Sequence, residues 1–526
     1  MNEATQPGMS DQTNATSDAP EPSRPRAGRP SGWYAASGGE WTPRPRLTFD
    51  LDVDVCVIGG GLAGLSIARE CALRGSTVAL LEAREIGWNA SGVNSGTVTP
   101  GFGVDIETIV DRIGLQDARE LWDLSQEGVD YVRIEASGMS RAALTPGYLE
   151  VSNTDNGDRL VGRLQMLGQD FGADVEGWQT EQVRAAIRTP HYFHGISYPK
   201  SFHIHALNYA HGLAEKAEQA GVRIFEDTAV VGIDPAGIRK RIITGAARLR
   251  SSFIVLAGNV HLGAPFPRLC ETLLPTWRYI AVTEPLDRLD DALNFHGAVR
   301  DTTGLDHYRR IDGNRLLWSG PMTTWSVKPR YLAGYLQRRI RSIFPQLGHV
   351  AIADIRSGVT GETVHGMPQI GQLRRGLWIA SGFGGHGIGN AAMAGLLVSS
   401  GIVANDDRWR LFSPFELVWS GGTAGRLAAQ AVYSWTRGTA RSFAALARYR
   451  ERARLRDEER QRRGAAAERA VRTMRVPDRG TKPRAPAVAQ SALATSTVPP
   501  VQPQSAPQEG PEAAAEPFRE REGGAV

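Results

Sequence analysis

Two glycine-rich turns, more than three hundred residues apart, are the parts of this 526-residue sequence best suited to chemistry. The first, "IGGGLAGLS", sets Gly59, Gly61 and Gly64 as G-x-G-x-x-G, with Leu62 and Ala63 between the last two. The second, "SGFGGHGIGNAAMAG", covers residues 381–395. It holds His386 among Gly384, Gly385 and Gly387, then continues through Ile388 and Asn390 into an Ala-rich stretch. Backbone without side chains lets a ligand come close. A glycine turn that opens a helix also presents unpaired N–H groups and the positive end of the helix dipole. Those favour a bound anion, or negative charge that develops during a reaction.

The elements around the first turn fit a phosphate-bearing ligand. Residues 53–58, "VDVCVI", form an apolar run of strand length, and residues 62–74 have helical spacing that stops before Gly75. Residues 77–81 are again β-branched and apolar, so the unit reads as a βαβ crossover in a buried parallel sheet. G-x-G-x-x-G inside such a unit is the Rossmann fingerprint: one glycine turns the chain, one admits a pyrophosphate, one packs helix on strand. Glu82 ends the second strand, where its carboxylate accepts both ribose hydroxyls and disfavours a 2′-phosphate. The next segment, "AREIGWNASGVNSGTVTPGF", is longer than a connection needs. Its Ser91, Gly92, Asn94, Ser95 and Gly96 suit a loop laid along an extended cofactor, which favours FAD over NAD; an ordinary flexible loop is the alternative. A flavin gathers negative charge at its N1/C2 edge on reduction, and the late turn follows an apolar strand, "GLWIASG", as an element aimed at that edge. His386 then faces the ring or the substrate, or is a structurally satisfied loop histidine.

Composition sets the bounds. Hydrophobic content of 41% and charged content of 22% describe a globular chain long enough for two or three domains. Three cysteines, Cys56, Cys71 and Cys270, have no CxxC spacing, so a reducing compartment is expected and a metal site is not. Net charge is +4, but residues 439–480 carry 13 Arg against 6 Asp+Glu, which is +7 and leaves −3 for the remainder. No nucleic-acid face is expected on the body. The N-terminal residues lack a signal-peptide pattern and no apolar run reaches the roughly 20 residues of a membrane span, so the expected location is cytoplasmic. Four segments follow: a disordered 1–45, whose "SGWYAAS" aromatics are candidates for docking on the body; an interleaved two-subdomain body, 46–405; a helical extension, 406–469; and a disordered Pro/Ala-rich tail, 470–526. Further helices are expected near 105–137 and 205–220, and strands at 222–226, 228–234, 253–257 and 315–321.

The segments "VDVCVIGGGLAGLSIARECALRGSTVALLEAREIGWNASGVNSG", "IVLAGN", "TVHGMPQIG" and "ASGFGGHGIGNAAMAG" together resemble the FAD-dependent D-amino acid oxidase (DAO) superfamily. "EAREIGWNASG" and "FSPFELVWSGGTAGRLAAQAVYSW" are similar to its γ-glutamylputrescine oxidase-like branch. The resemblance covers about residues 31–437. It implies an α/β fold: a Rossmann-type FAD domain, of the glutathione reductase/DAO kind, interleaved with an α+β substrate domain on an antiparallel sheet. It further implies oxidation of an amine or amino acid C–N bond by hydride transfer to flavin, with oxygen as the usual acceptor. By the same resemblance Gly59, Gly61, Gly64, Glu82, Ala83 and Arg84 bind the ADP half, Val230 contacts adenine, and Ala257 and Gly258 pass near the pyrophosphate. Residues 91–96 and 384–390 hold the ribityl chain and ring. Departures are Ser95 in a motif that is often NGG, and His365 where an Asp is frequent. Gly358 stands where covalent relatives carry cysteine, so noncovalent FAD is expected.

Substrate residues are less legible. An amino-acid substrate needs a cation for its carboxylate; Arg278 in "PTWRYIAVTEP" and Arg309 in "HYRRIDGNRLLW" are candidates, or else form ordinary ion pairs. Tyr308 and His307 either shape a pocket or belong to an edge strand. The segment from residue 425 has helical apolar spacing at Leu427, Ala431 and Trp435, resumed at Phe443, Leu446 and Tyr449. That pattern docks on the body, or binds an anionic membrane surface as suits a flavin dehydrogenase feeding a quinone. A catalytically silent dinucleotide-binding subunit is the remaining alternative.

Overall fold

The computed structural model describes residues 33–39, 41–263 and 265–473. Apart from residues 33–39, 41–45 and 470–473, the two tails expected to be disordered lie outside the described residues. One unit ends at Asp457 and a second begins at Glu458.

The chain starts its first layer with β1 (Leu51–Ile58), α1 (Leu62–Leu73) and β2 (Val78–Leu81). It leaves that layer for β3 (Thr97–Val98), α2 (Leu115–Ser137), β4 (Thr145–Val151), β5 (Glu176–Trp178) and β6 (Gly195–His203). It returns through α3 (Ala206–Gln219) to β7 (Arg223–Phe225), β8 (Val230–Asp234), β9 (Lys240–Thr244) and β10 (Arg248–Leu256). A second excursion supplies β11 (Leu274–Thr283), β12 (Ala298–Asp301), β13 (His307–Ile311), β14 (Arg315–Ser319) and β15 (Ile352–Glu362). The chain comes back once more for β16 (Gln369–Arg374), β17 (Leu377–Ser381) and α4 (Gly387–Val403), and α5 (Gly422–Thr473) follows.

These excursions sort into two sheets. The first has the order β16-β17-β10-β1-β2-β7, with the β8–β9 hairpin joined to β10. The second, β15-β11-β14-β13-β12-β4-β6-β3 with β5 on β6, is antiparallel except where β12 runs parallel to β4. The expected interleaving is therefore the physical topology: each sheet is built from segments that alternate along the chain.

β1 shows why the first sheet forms. Val55 and Val57 pack into the helix-side core with α1 and α4, while Cys56 and Ile58, of the other parity, pack into a second core that Val53 joins near the start of the strand. A strand covered on both faces needs a continuous apolar run, which residues 53–58 supply. On the helix side α4 lies between α1 and α2. A Cβ on Gly395 would sit 2.6 Å from the Ser66 Cβ, and one on Gly128 2.3 Å from the Gly389 carbonyl oxygen. Residues 384–403 have the length and hydropathy of a membrane span, yet two thirds of that window is buried in this core.

Two expectations meet the structure at the ends of the body: a disordered 1–45 with docking aromatics, and the apolar stripe of α5. Trp33 does dock: its N–H donates to Asp354 (3.1 Å) and its ring stacks on His205 at 5.2 Å. Residues 41–47 are anchored as well, Arg44 pairing with Glu218 at 2.8 Å and Leu47 being fully buried. On α5 the apolar positions do not dock; Leu427, Trp435, Phe443 and Tyr449 are exposed. The polar and small face packs instead, because its side chains complete hydrogen bonds the body leaves open: Gln430 accepts from the Thr324 N–H at 2.9 Å, and Arg448 meets His191 at 3.1 Å. In the second unit the described helix is exposed, with an Arg463–Glu459 pair one turn apart.

Buried histidines give the body a pH dependence. Burial first, then neighbouring arginines, push His191 and His211 down to about 3 and His205 to about 4. All three are neutral in the fold and gain protons on unfolding, so the stability they confer is present above pH 6.5 and lost as pH falls. Asp301 opposes them: burial raises it to about 6, so its contribution grows as pH drops through that value. These four groups together lose about 2 kcal/mol between about pH 6.5 and 5.5, and His203, His307 and His386, also lowered by burial, add to that loss, read as a lower urea midpoint with unchanged slope.

Candidate functional site: a cavity between two glycine turns

β1, β2, β10 and β17 end in register: Ile58 is beside both Leu81 and Leu256, and Leu256 beside Ile379. Their carboxyl ends open into one cavity of about 2330 Å³, where ligands of open α/β sheets bind. The first turn forms its near end. Gly59 has φ +116°, and a Cβ there would lie 2.7 Å from the Ala257 carbonyl oxygen, so only glycine holds both turn and contact. α1 starts at Gly61 without a side-chain cap. The Leu62 N–H donates to Ser91 Oγ (3.1 Å), and Ala63 also lines the cavity. Uncapped first-turn amides beside a side-chain-free wall suit a pyrophosphate.

Glu82 lies at the end of β2. Its carboxylate accepts from the Gly60 N–H (2.6 Å), the Arg84 N–H (2.8 Å) and Trp88 Nε1 (3.1 Å). Burial pushes its pKa up, against these donors. Three donors leave lone-pair capacity for a ribose diol. Ala83, Arg84, Val230, Ala257 and Gly258 line the same end, and the Arg84 guanidinium lies 4.1 Å over the Trp88 ring.

The second turn closes the other side. Gly384 has φ +57°, and a Cβ there would come 2.8 Å from Glu362 Oε2. Gly384, Gly385, His386, Gly387 and Ile388 all line the cavity where α4 begins; Asn390 is buried behind them, its Nδ2 without a hydrogen-bond partner. His386 Nδ1 donates to the Thr99 carbonyl (3.4 Å), which leaves Nε2 as the acceptor. Burial, then Arg300, with Arg278 and Arg163 adding to them, lowers its pKa to about 4, so the ring is neutral.

Between the turns the 91–96 loop divides its labour. Ser91, Asn94 and Ser95 line the cavity. Asn94 also fixes the loop, donating to Ala90 and Ser91 carbonyls and accepting from the Gly96 N–H (2.8 Å). Gly64, Gly92 and Gly96 do not reach the cavity. They are packing glycines, whose added Cβ would strike the carbonyl oxygens of Gly59, Gly87 and Ile204 at 2.0, 2.2 and 2.0 Å. Gly358 lines the cavity with a virtual Cβ 2.9 Å from the Ala90 Cα, and no cysteine among the described residues lines it. His365 lines it too, braced by the Met367 N–H and the Glu416 carbonyl, both at 3.1 Å.

The substrate-side candidates separate. Arg278 lines the cavity, paired with Glu362 at 2.6 Å, its Nε buried without a partner. Arg309 is placed elsewhere: it binds the carbonyls of Ser95 (2.7 Å) and Ile204 (3.0 Å) and meets His203 Nδ1 (2.8 Å), a clamp on the 91–96 loop. Tyr308 is also away from the cavity, fully buried and stacked on Trp318 at 4.3 Å, because β13 is an interior strand and not an edge. His307, one residue earlier and on the opposite face of the strand, does line it and bonds Thr97 Oγ1 (2.8 Å).

The cavity also holds residues that the sequence did not single out. Arg300, on β12, hydrogen-bonds Tyr148, and among the described residues no carboxylate lies within ion-pair distance of it. Burial weighs against its charge, but Tyr148, Glu150 and Asp301 more than compensate. Tyr148 and Tyr198 meet beside it with ring centroids 5.4 Å apart and planes tilted by 56°, and Arg163 pairs with Glu150 at 2.9 Å. The one local signal was parity: Val299 and Asp301 are buried inward, so Arg300 between them points to the other face. α5 adds Tyr433, Thr436 and Phe443 to the wall.

The model of the DAO family, FAD dependent oxidoreductases, matches residues 54–400. A probable oxidoreductase OrdL of Haemophilus influenzae is 30% identical over 380 residues, 70% of this chain and 87% of that one. The gamma-glutamylputrescine oxidoreductase of Escherichia coli is 29% identical over 392 residues, 73% and 91% of the two chains. Among solved structures, the glycine oxidase of Geobacillus kaustophilus superposes with a TM-score of 0.57 at 23% identity, covering 70% of this chain and 99% of that one.

Proposed function

Because the chain belongs to the DAO family of FAD-dependent oxidoreductases, we propose that it oxidises the C–N bond of an amine that also bears a carboxylate: an amino acid, an N-methyl amino acid, or a conjugated amine such as a γ-glutamylated one. The observation that carries this reading is Arg300, a guanidinium in the cavity wall with no carboxylate partner among the described residues. A desolvated guanidinium recognises a carboxylate through parallel N–H bonds.

FAD, when bound, supplies the two-electron acceptor for the hydride leaving the amine carbon, and the resulting imine hydrolyses in water. The chain's own residues bind and orient. Gly59, Gly61, Ala63 and Ser91 would hold the pyrophosphate of FAD, and Glu82 its ribose. The 384–388 turn and the start of α4 would offer backbone donors and a helix N-terminus to its ring. Tyr148 and Tyr198 wall the substrate, Arg300 fixes its carboxylate, and neutral His386 accepts a hydrogen bond from its amine. Oxygen is the proposed final acceptor and FAD is held noncovalently. A dehydrogenase that reduces a quinone is the second reading, favoured by the exposed apolar face of α5 at the cavity rim.

Paired substrates test the first reading. Under anaerobic mixing, an amino acid is expected to bleach the flavin far faster than the amine made by removing its carboxyl group. Equal rates for the pair would remove Arg300 from substrate recognition. His386→Ala is expected to keep its flavin and to slow bleaching about fivefold to tenfold, the worth of one neutral hydrogen bond. An unchanged rate would make the side chain structural.

A further inference from the structure

We propose that the outer face of α5 docks the protein on an anionic lipid surface. Within the first unit this helix is held by its inner face. Arg426 donates to the Thr324 carbonyl (2.7 Å), Glu451 accepts two bonds from Arg184 (2.6 and 3.0 Å), and Ala444 is buried. The outer face has no such cover among the described residues. Trp435 is 75% exposed, Tyr449 64% and Leu427 59%. Leu427, Ala431 and Trp435 recur every fourth residue, and Leu446 and Tyr449 continue the same side about three turns further on. Trp419, just before the helix, adds another exposed indole.

A fixed helix with an aromatic outer stripe needs an occupant, and charge identifies it. From residue 439 to 457 the helix has six arginines (Arg441, Arg448, Arg450, Arg452, Arg454, Arg456) against Glu451 and Asp457. Arg452 and Arg456 follow Tyr449 by three and seven residues, at the margin of the stripe, and Arg456 Nε bonds only the Arg452 carbonyl within its own helix. Indole and phenol rings flanked by arginines are the pattern of a helix lying in a bilayer interface, and the surplus positive charge selects anionic headgroups. A second copy of the chain would bring the same positive margin against itself. Val432, Phe443 and Leu446 belong both to the exposed apolar surface and to the cavity rim, so the docking surface borders the entrance. This inference stands apart from the choice of amine substrate.

The test is sedimentation of the full chain with vesicles of phosphatidylcholine alone or mixed with phosphatidylglycerol. Binding is expected only to the anionic vesicles, falling as salt is raised. Replacing Trp435 and Tyr449 together by Ser should weaken it at least about tenfold. Flavin content and amine oxidation in solution should not change, since neither residue lines the cavity. No binding to anionic vesicles, or equal binding by the double variant, overturns the proposal. So does a dimer in solution that the double variant dissociates, which would assign the stripe to a second copy. Vesicle binding that appears only after truncation beyond Thr473 also overturns it, because the tail would then cover the face.

Discussion

Arg300→Met is expected to lower kcat/KM for an amino-acid substrate by about a hundredfold, most of it in KM, while leaving flavin content intact. Removing one partner of a desolvated charge pair costs about 2–5 kcal/mol, and about 2.7 kcal/mol is a factor of a hundred. Methionine keeps much of the arginine's length, so the wall beside Tyr148 and Tyr198 is not opened to water. The loss should be specific to the carboxylate: an amine without one should show little change between wild type and variant. Arg309→Met is the control. Arg309 holds the carbonyls of Ser95 and Ile204 away from the cavity, so its loss should loosen the 91–96 loop and lower stability and flavin retention with no preference among substrates. If Arg309→Met, and not Arg300→Met, raises KM selectively for carboxylated substrates, the two assignments are reversed.

Gly59→Ala is expected to yield protein without flavin. The residue has φ +116°, and its new Cβ would meet the Ala257 carbonyl oxygen at 2.7 Å and the Gly258 nitrogen at 2.8 Å. Both are backbone atoms at the end of β10, so relief requires shifting a strand of the central sheet. Backbone strain of about 1–3 kcal/mol adds to that displacement, at the point where the pyrophosphate must approach. FAD affinity should fall by at least about a hundredfold. Gly75→Ala separates strain from site: φ is +89° there, but nothing lies within 4 Å of the added Cβ. That variant should lose about 1–2 kcal/mol of stability and keep its flavin.

The parts legible in the sequence were those whose information is local. The run at residues 53–58, the glycine spacing and Glu82 all fall within one βαβ unit, and the structure brings them to one end of the cavity. The late turn was legible because glycine density marks close approach wherever the approaching group comes from. Arg300 was not, since its importance lies in which β12 neighbours pair with it and which carboxylates do not. Arg309 drew attention by sequence context alone; it shares a face of β13 with His307, but two residues along, where its guanidinium is taken up by the carbonyls of Ser95 and Ile204 instead of the cavity. Of the two readings that the apolar spacing of α5 allows, docking on the body fails: apolar spacing normally marks the buried side, but here hydrogen-bonding side chains such as Gln430 and Arg448 make the contact and the aromatics stay outside. That inversion is itself the signal from which a lipid partner is inferred.

The central claim is that the turns at residues 59–64 and 384–388 enclose one FAD whose ring accepts electrons from a carboxylated amine. Its most direct measurement is the visible spectrum of the purified protein before and after anaerobic addition of amino acids and conjugated amines. The account predicts flavin bands that bleach with at least one carboxylated amine and return when air is admitted. A colourless protein that takes up no added FAD, or a flavin that no amine bleaches, would contradict it.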